Sequence, residues 1–240
     1  MSESVSTTEA TEATAEATEA TEATAQAATE ATEAAEAAEA AEARPEAPLR
    51  VAVVVGSVRD GRQGRLVTDW FLDAAAAHDG LEWDVVDLAD VDLPLVMPGW
   101  GGTVDPRAAA VLAEVTPRLA AADAFVLVTP EYNHSFPAAL KNLIDWHHGQ
   151  WHAKPVGFVS YGGLGGGLRA VEQLRLVFAE LHAMTVRDSV SLHGPWSGLG
   201  PDGRPRDAAV CEGAAKGMLG QLSWWGRALR TARATSPYQG

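Results

Sequence analysis

The run Val51 to Val55, VAVVV, has no polar position on either side and stops at Gly56. A strand with one solvated face alternates apolar and polar residues, so an unbroken β-branched run predicts a strand covered on both faces, as parallel sheets require. The same signature returns at Ala124 to Thr129 and at Val156 to Tyr161, while Trp83 to Leu88 reads as a further strand and Val186 to Leu192 as a fifth. Between and after them, Leu66 to Ala77, Arg107 to Ala122, Pro137 to His147, Leu168 to His182 and Asp207 to Arg230 carry apolar residues at helical spacing. Strands alternating with helices in this way select an α/β fold with a parallel sheet and helices on both faces, because every parallel connection needs a crossover. In such sheets ligands bind beyond the C-terminal strand ends, next to the point where strand order reverses. Chemistry is therefore expected just after Val55, Thr129 and Tyr161.

The 240 residues are of two kinds. Residues 1–48 are almost entirely Ala, Glu and Thr, with a three-residue TEA repeat drifting into AEA. They contain no aromatic residue, Leu or Ile to offset the entropy of ordering, so a solvated, disordered or transiently helical tail is expected there. One folded domain is expected over residues 49–240. The tail holds twelve Glu against the single Arg44, a net of −11, so that only −3 of the formal −14 belongs to the remainder. A body so near neutrality argues against a nucleic-acid partner, which would need clustered Lys and Arg. The single cysteine, Cys211, excludes an intramolecular disulfide and suggests no cysteine-based metal site. No apolar run is long enough to span a bilayer, and no secretory or organellar targeting pattern opens the chain, so a cytoplasmic protein without a membrane partner is expected.

Each of the three strand ends leads into an unusual loop. The first, Gly56 to Gly64, combines small residues with Ser57, Arg59 and Arg62 and opens a helix. Backbone N–H groups there can approach an anion, the helix N-terminus adds positive potential, and the side chains supply donors, which suits one terminal phosphate. It has neither the Gly-Lys-Ser/Thr ending of a Walker loop nor the glycine spacing of a dinucleotide fingerprint. The second loop, Thr129 to Pro137, is stiffened by a proline near each end. Backbone groups of Glu131 to Asn133 can read the edge of a heterocycle, and Tyr132 can stack on it. The third, Ser160 to Arg169, places five glycines in the six positions 162–167 apart from Leu164, leaving the backbone free to lie against a ligand.

Together these motifs, namely Gly56-Ser57 with Arg59, Pro130-Glu131-Tyr132-Asn133 with Ser135 and Pro137, Leu140-Lys141-Asn142 with Asp145-Trp146, and the glycine loop at 161–167, resemble the NADPH-dependent FMN reductase family over roughly residues 50–195. The resemblance implies a flavodoxin-like, doubly wound, five-stranded parallel sheet in the order 2-1-3-4-5. It implies FMN as cofactor and NADPH or NADH as co-substrate. By that similarity Ser57, Arg59, Arg62 and Gly64 would surround the FMN phosphate, Pro130, Glu131, Tyr132 and Asn133 would line the isoalloxazine, and Tyr161, Gly162 and Gly163 would line its pyrimidine side. Many members carry Ser and Asn where this chain has Arg62 and Gly64. Hydride would pass through the flavin to a small-molecule acceptor such as a quinone, a free flavin, an azo compound or chromate. No catalytic side chain is required. The resemblance also implies a homodimer or homotetramer.

The acceptor pocket is the least defined, with Leu95, Met97, Trp100 and Trp146 or Trp151 as candidate walls, each of which reads as structural packing before it reads as a substrate contact. His147, His148 and His152 lack the spacing of a zinc helix, and no metal is expected. Trp224 and Trp225 read as core or as a subunit contact. Two other readings stay open from the residues alone: a non-enzymatic flavodoxin-type electron carrier, and a flavin-free module that binds another phosphorylated ligand.

Overall fold

A computed structural model describes residues 47–99, 101–194, 198–200 and 203–239. The tail expected over 1–48 lies outside these residues up to position 46, as does Trp100. The β-branched runs form the strands β1 (Leu49–Val55), β2 (Leu81–Asp87), β3 (Ala124–Pro130) and β4 (Pro155–Gly162). The helices between and after them are α1 (Gly64–Ala75), α2 (Pro106–Ala121), α3 (Ala138–Trp146), α4 (Leu168–Glu180) and α5 (Ala208–Thr235). The strands pair in parallel in the order β2-β1-β3-β4, with a fifth position beside β4, the flavodoxin-like arrangement.

Alternation along the buried strands creates two separate cores, because successive side chains leave opposite faces of the sheet. Val51, Val53, Val126, Val128 and Val159 meet Val67 and Phe71 of α1 and Met218, Leu219 and Leu222 of α5 on one face. Ala52, Val54, Phe125, Leu127 and Phe158 meet Leu119 of α2, Leu140, Leu143 and Ile144 of α3 and Leu174 and Phe178 of α4 on the other. Trp151 belongs to this second core. It is fully buried, its ring centroid lies 4.5 Å from that of Phe125, and its Nε1 donates to the carbonyl of His147 at 2.8 Å.

The fifth strand position departs from the single strand expected over Val186 to Leu192. It is filled by two short pieces, β5 (Met184–Thr185) against the first half of β4 and β6 (Val190–His193) against the second. At the interruption stand the polar residues Arg187, Asp188 and Ser189, and Arg175 of α4 donates to the carbonyls of Val186 and Arg187 at 2.6 and 2.8 Å.

Candidate functional site

The loops after β1, β3 and β4 meet at one cleft of about 240 Å³. Its lining includes Arg59 and Arg62 from the first loop, Pro130, Glu131 and Tyr132 from the second, and Tyr161, Gly162 and Gly163 from the third. Gly61, Gln63 and Gly194, none of which sequence reasoning singled out, complete it. Ser57 and Gly64 lie behind this lining and are buried, whereas Asn133 stands on an exposed turn beside it.

The second loop owes its shape to a two-residue reversal. Tyr132 and Ser135 exchange backbone hydrogen bonds of 2.8 and 3.0 Å, and the residues between them, Asn133 and His134, have φ of 50° and 73°. Positive φ at both central positions is what a type I′ turn demands, and Asn accepts that conformation better than most side chains. Gln173 of α4 clamps the turn, donating to the carbonyl of His134 at 2.7 Å and accepting from the Ser135 hydroxyl at 2.5 Å. Glu131 ties the second loop to the third. Its backbone N–H donates to the carbonyl of Tyr161, and its carboxylate accepts from Arg169 Nη1 at 2.5 Å and from the Arg169 backbone at 3.3 Å.

The glycine loop is held just as closely. Gly166 and Gly167 have φ of 56° and 84°, and a Cβ on Gly167 would fall 2.6 Å from that of Ser160. Only glycine meets both demands. The Ser160 and Ser191 hydroxyls each donate to the Gly166 carbonyl at 2.9 Å, while Gly194 donates from its backbone to the carbonyls of Gly162 and Gly163. A Cβ on Gly163 would meet nothing within 4 Å, so the cleft side of that position is open.

Ser57, Arg59 and Arg62 of the first loop take different tasks. The Ser57 hydroxyl is buried and accepts a 3.1 Å hydrogen bond from the phenol of Tyr161. Burial pushes the Tyr161 phenol up to about 12, so it remains a protonated donor throughout the physiological range. Arg62 reaches away from its own loop to Asp87 at the end of β2, with nitrogen–oxygen distances of 2.6 and 2.8 Å, and Nη1 also donates to the Ser57 carbonyl at 3.0 Å. The hydrogen-bonded carboxylate raises the guanidinium pKa above its ordinary value, so Arg62 stays charged. Arg59, by contrast, makes no ion pair among the described residues, and its guanidinium carbon lies 5.9 Å from the centroid of the Tyr132 ring. Among the described residues no acceptor is found for the backbone N–H groups of Ser57, Arg59 or Gly61, and the buried Tyr132 hydroxyl has no hydrogen-bond partner.

Of the other positions considered from sequence, Trp151 is core, as described above. Trp146 donates from Nε1 to the carbonyl of Pro94 at 2.9 Å. Leu95 and Met97 are exposed. His147 is buried, bonded to the Leu143 carbonyl and the Thr116 hydroxyl. Among the described residues no group of three or more His, Cys, Asp or Glu is arranged to hold a metal ion.

A parallel sheet of this order, with a glycine- and arginine-bearing loop, a rigid aromatic turn and a glycine loop gathered at its C-terminal edge, defines a flavodoxin-like protein with a site for a flat, phosphorylated ligand. The sequence matches the NADPH-dependent FMN reductase family over residues 49–197, and the chain belongs to that family. It is 36% identical over 122 residues to an NAD(P)H-dependent FMN reductase of Schizosaccharomyces pombe, a match covering 49% of this chain and 60% of the relative. It is 31% identical over 140 residues to an NAD(P)H:quinone oxidoreductase of Solanum tuberosum, covering 56% of this chain and 70% of that one. The fold resembles that of a flavoenzyme NAD(P)H:(acceptor) oxidoreductase from Paracoccus denitrificans, with a TM-score of 0.54 at 23% identity over 75% of this chain and 98% of the other. The residues at the cleft suit FMN. Among the described residues the first loop holds an arginine without an ion pair and backbone N–H groups without acceptors, the second loop sets beside that arginine a tyrosine with an unpartnered hydroxyl, and the third carries an open glycine.

Proposed function

We propose that this protein is an FMN-dependent NAD(P)H oxidoreductase that delivers hydride equivalents to a small acceptor, with a quinone as the first candidate. The observation that carries this reading is the convergence of three sheet-end loops on one cleft lined by Arg59, by the Tyr132 ring beside that guanidinium, and by the backbone of Gly162 and Gly163. FMN, when bound, would supply the hydride-transfer chemistry. The chain binds and orients. Arg59 and the backbone N–H groups of the first loop are assigned to the phosphate, helped by the N-terminus of α1. Tyr132, Pro130 and Glu131 are assigned to one edge of the ring system and Gly162 and Gly163, with the backbone of Tyr161, to another. The Glu131–Arg169 pair and the Gln173 clamp keep those two walls in register, which is what a site for a rigid planar ligand needs.

The quinone assignment rests on the potato relative. The open glycine at position 163 is compatible with a flat acceptor stacking where the nicotinamide has left. No helix among the described residues is long and apolar enough to cross a membrane, and we assign the protein to the cytoplasm. Trp224 is 63% exposed on α5, and Leu95 and Val96 are more exposed still. Large apolar side chains in such positions support assembly into a homodimer or homotetramer, which light scattering will test.

The decisive experiment is an absorption spectrum of the purified protein after equilibration with FMN, followed by anaerobic stopped-flow mixing with NADPH or NADH. Bleaching near about 450 nm, reversed by a benzoquinone, is the expected result. A protein that retains no FMN, or retains it and is not bleached by either nucleotide, would refute the proposal; the second outcome favours an electron carrier reduced by another protein.

A further inference from the structure

Arg62 lines the cleft, yet its guanidinium is directed at Asp87, and the arrangement has more parts than an incidental ion pair. Asp87 is the last residue of β2 and is level with Val55, the last residue of β1, in the parallel register. Its two carboxylate oxygens accept from the two terminal nitrogens of Arg62, and one of them also accepts from the backbone of Ala89 at 3.1 Å. The side chains are 21% and 10% exposed, so solvent screens the pair weakly. Arg62 in turn holds the Ser57 carbonyl at 3.0 Å, and its own backbone N–H donates to the Arg59 carbonyl at 3.2 Å. The segment from Ser57 to Arg62 is thus drawn into a ring anchored on a sheet strand 25 residues further along the chain. Because a peptide unit is planar, fixing the Ser57 carbonyl also fixes the direction of the Val58 N–H, which points the opposite way.

The geometry points to Asp87 as a positioning residue for the phosphate end of the flavin site: through Arg62 and the Ser57 carbonyl it sets the curvature of the first loop. This inference rests on the assignment of FMN to the cleft. It assigns direct phosphate contact chiefly to Arg59 and the loop backbone, with Arg62 acting mainly on the loop. A bidentate guanidinium–carboxylate pair suits this work, since it fixes orientation as well as distance.

The test uses the full-length protein and two probes that differ only by the phosphate, FMN and riboflavin, with dissociation constants measured by quenching of flavin fluorescence. The wild-type protein is expected to prefer FMN. Asp87→Asn keeps an oxygen for Ala89 but loses the charge and the bidentate geometry. It is expected to weaken FMN by about tenfold while leaving riboflavin unchanged, so that the preference collapses. Arg62→Lys keeps the charge but cannot grip Asp87 and the Ser57 carbonyl together, and is expected to do the same. Adding Asp87→Asn to Arg62→Ala should change the preference no further, because the carboxylate acts through the guanidinium. Equal weakening of both flavins would reduce Asp87 to a general structural role. Tighter FMN binding by Asp87→Asn would show that Arg62 is a phosphate ligand that Asp87 restrains; either result overturns the inference while leaving the flavin site intact. A wild-type protein that binds neither flavin overturns the flavin assignment, and the inference with it.

Discussion

Replacing Gly64 with Ala sets two physical effects of opposite sign against each other, and the structure decides between them. Gly64 is the first residue of α1, where alanine favours the helix by at most about 1 kcal/mol. Propensity alone therefore predicts a more stable protein. A Cβ at this position, however, would sit far inside van der Waals contact with the Ser57 hydroxyl and 3.1 Å from both the Tyr161 hydroxyl and Val55 Cγ1. Ser57 is 1% exposed and cannot swing into solvent, so it must turn away from Tyr161 and break their 3.1 Å hydrogen bond. Leaving that phenol without an acceptor costs about 1–3 kcal/mol. The net expectation is a loss of roughly 1–2 kcal/mol, or a fall in Tm of about 2–8 °C for a domain of this size. Urea unfolding, with the m-value checked for constancy, measures it. Ser57→Ala makes room for the new methyl group, so the double variant should cost little more than Ser57→Ala alone, an interaction of at least about 0.5 kcal/mol. Gly64→Ala as stable as the parent, or simple additivity in the double variant, would refute the claim that close packing of the α1 N-terminus against Ser57 and Tyr161 holds this corner of the site.

Three further changes test other parts of the molecule. Arg59→Ala should weaken FMN by about tenfold with little effect on riboflavin or on unfolding, as read from flavin fluorescence and urea titration, because the side chain is exposed and free of ion pairs among the described residues. Lys154 is buried, with its ammonium bonded to the carbonyls of Leu119 and Ala120 at the end of α2, and burial lowers its pKa from 10.5 to about 8. The folded state thus releases this proton before the unfolded state does, so stability should rise between pH 8 and about 10.5 by on the order of 3 kcal/mol relative to Lys154→Met, in urea unfolding curves at each pH. Asn133→Val should destabilise the turn by about 1–2 kcal/mol, since a β-branched residue resists φ of 50°, whereas Asn133→Gly should be close to neutral.

What could be read from the sequence was whatever the backbone itself requires. Buried strands need unbroken apolar runs, and β1, β3 and β4 were visible for that reason; a ligand-facing loop needs glycine where the chain turns tightly, and the segment at 162–167 announced itself. The fifth strand misled because the polar Arg187-Asp188-Ser189 between Val186 and Val190 was read through rather than as a break, and the Arg175 hydrogen bonds that meet the chain there come from another element. Trp151 packs on Phe125 and Phe178, the reading preferred for it from sequence, although a tryptophan beside a candidate site looks the same in sequence whether it faces a ligand or the core. Arg62 is the most instructive case. Within its own loop it is a donor in a glycine-containing turn, and that local view omits Asp87, whose place level with the loop depends on the pairing register of β1 and β2. The carboxylate left no mark near the loop, because a single Asp at a strand end is unremarkable. The partners of an arginine in a sheet-end loop are therefore to be sought at strand ends of matching height, where a carboxylate can engage it, as well as in its own loop. In this fold the neighbouring strand is the place to look for one, since parallel pairing brings its last residue alongside the loop's first turn.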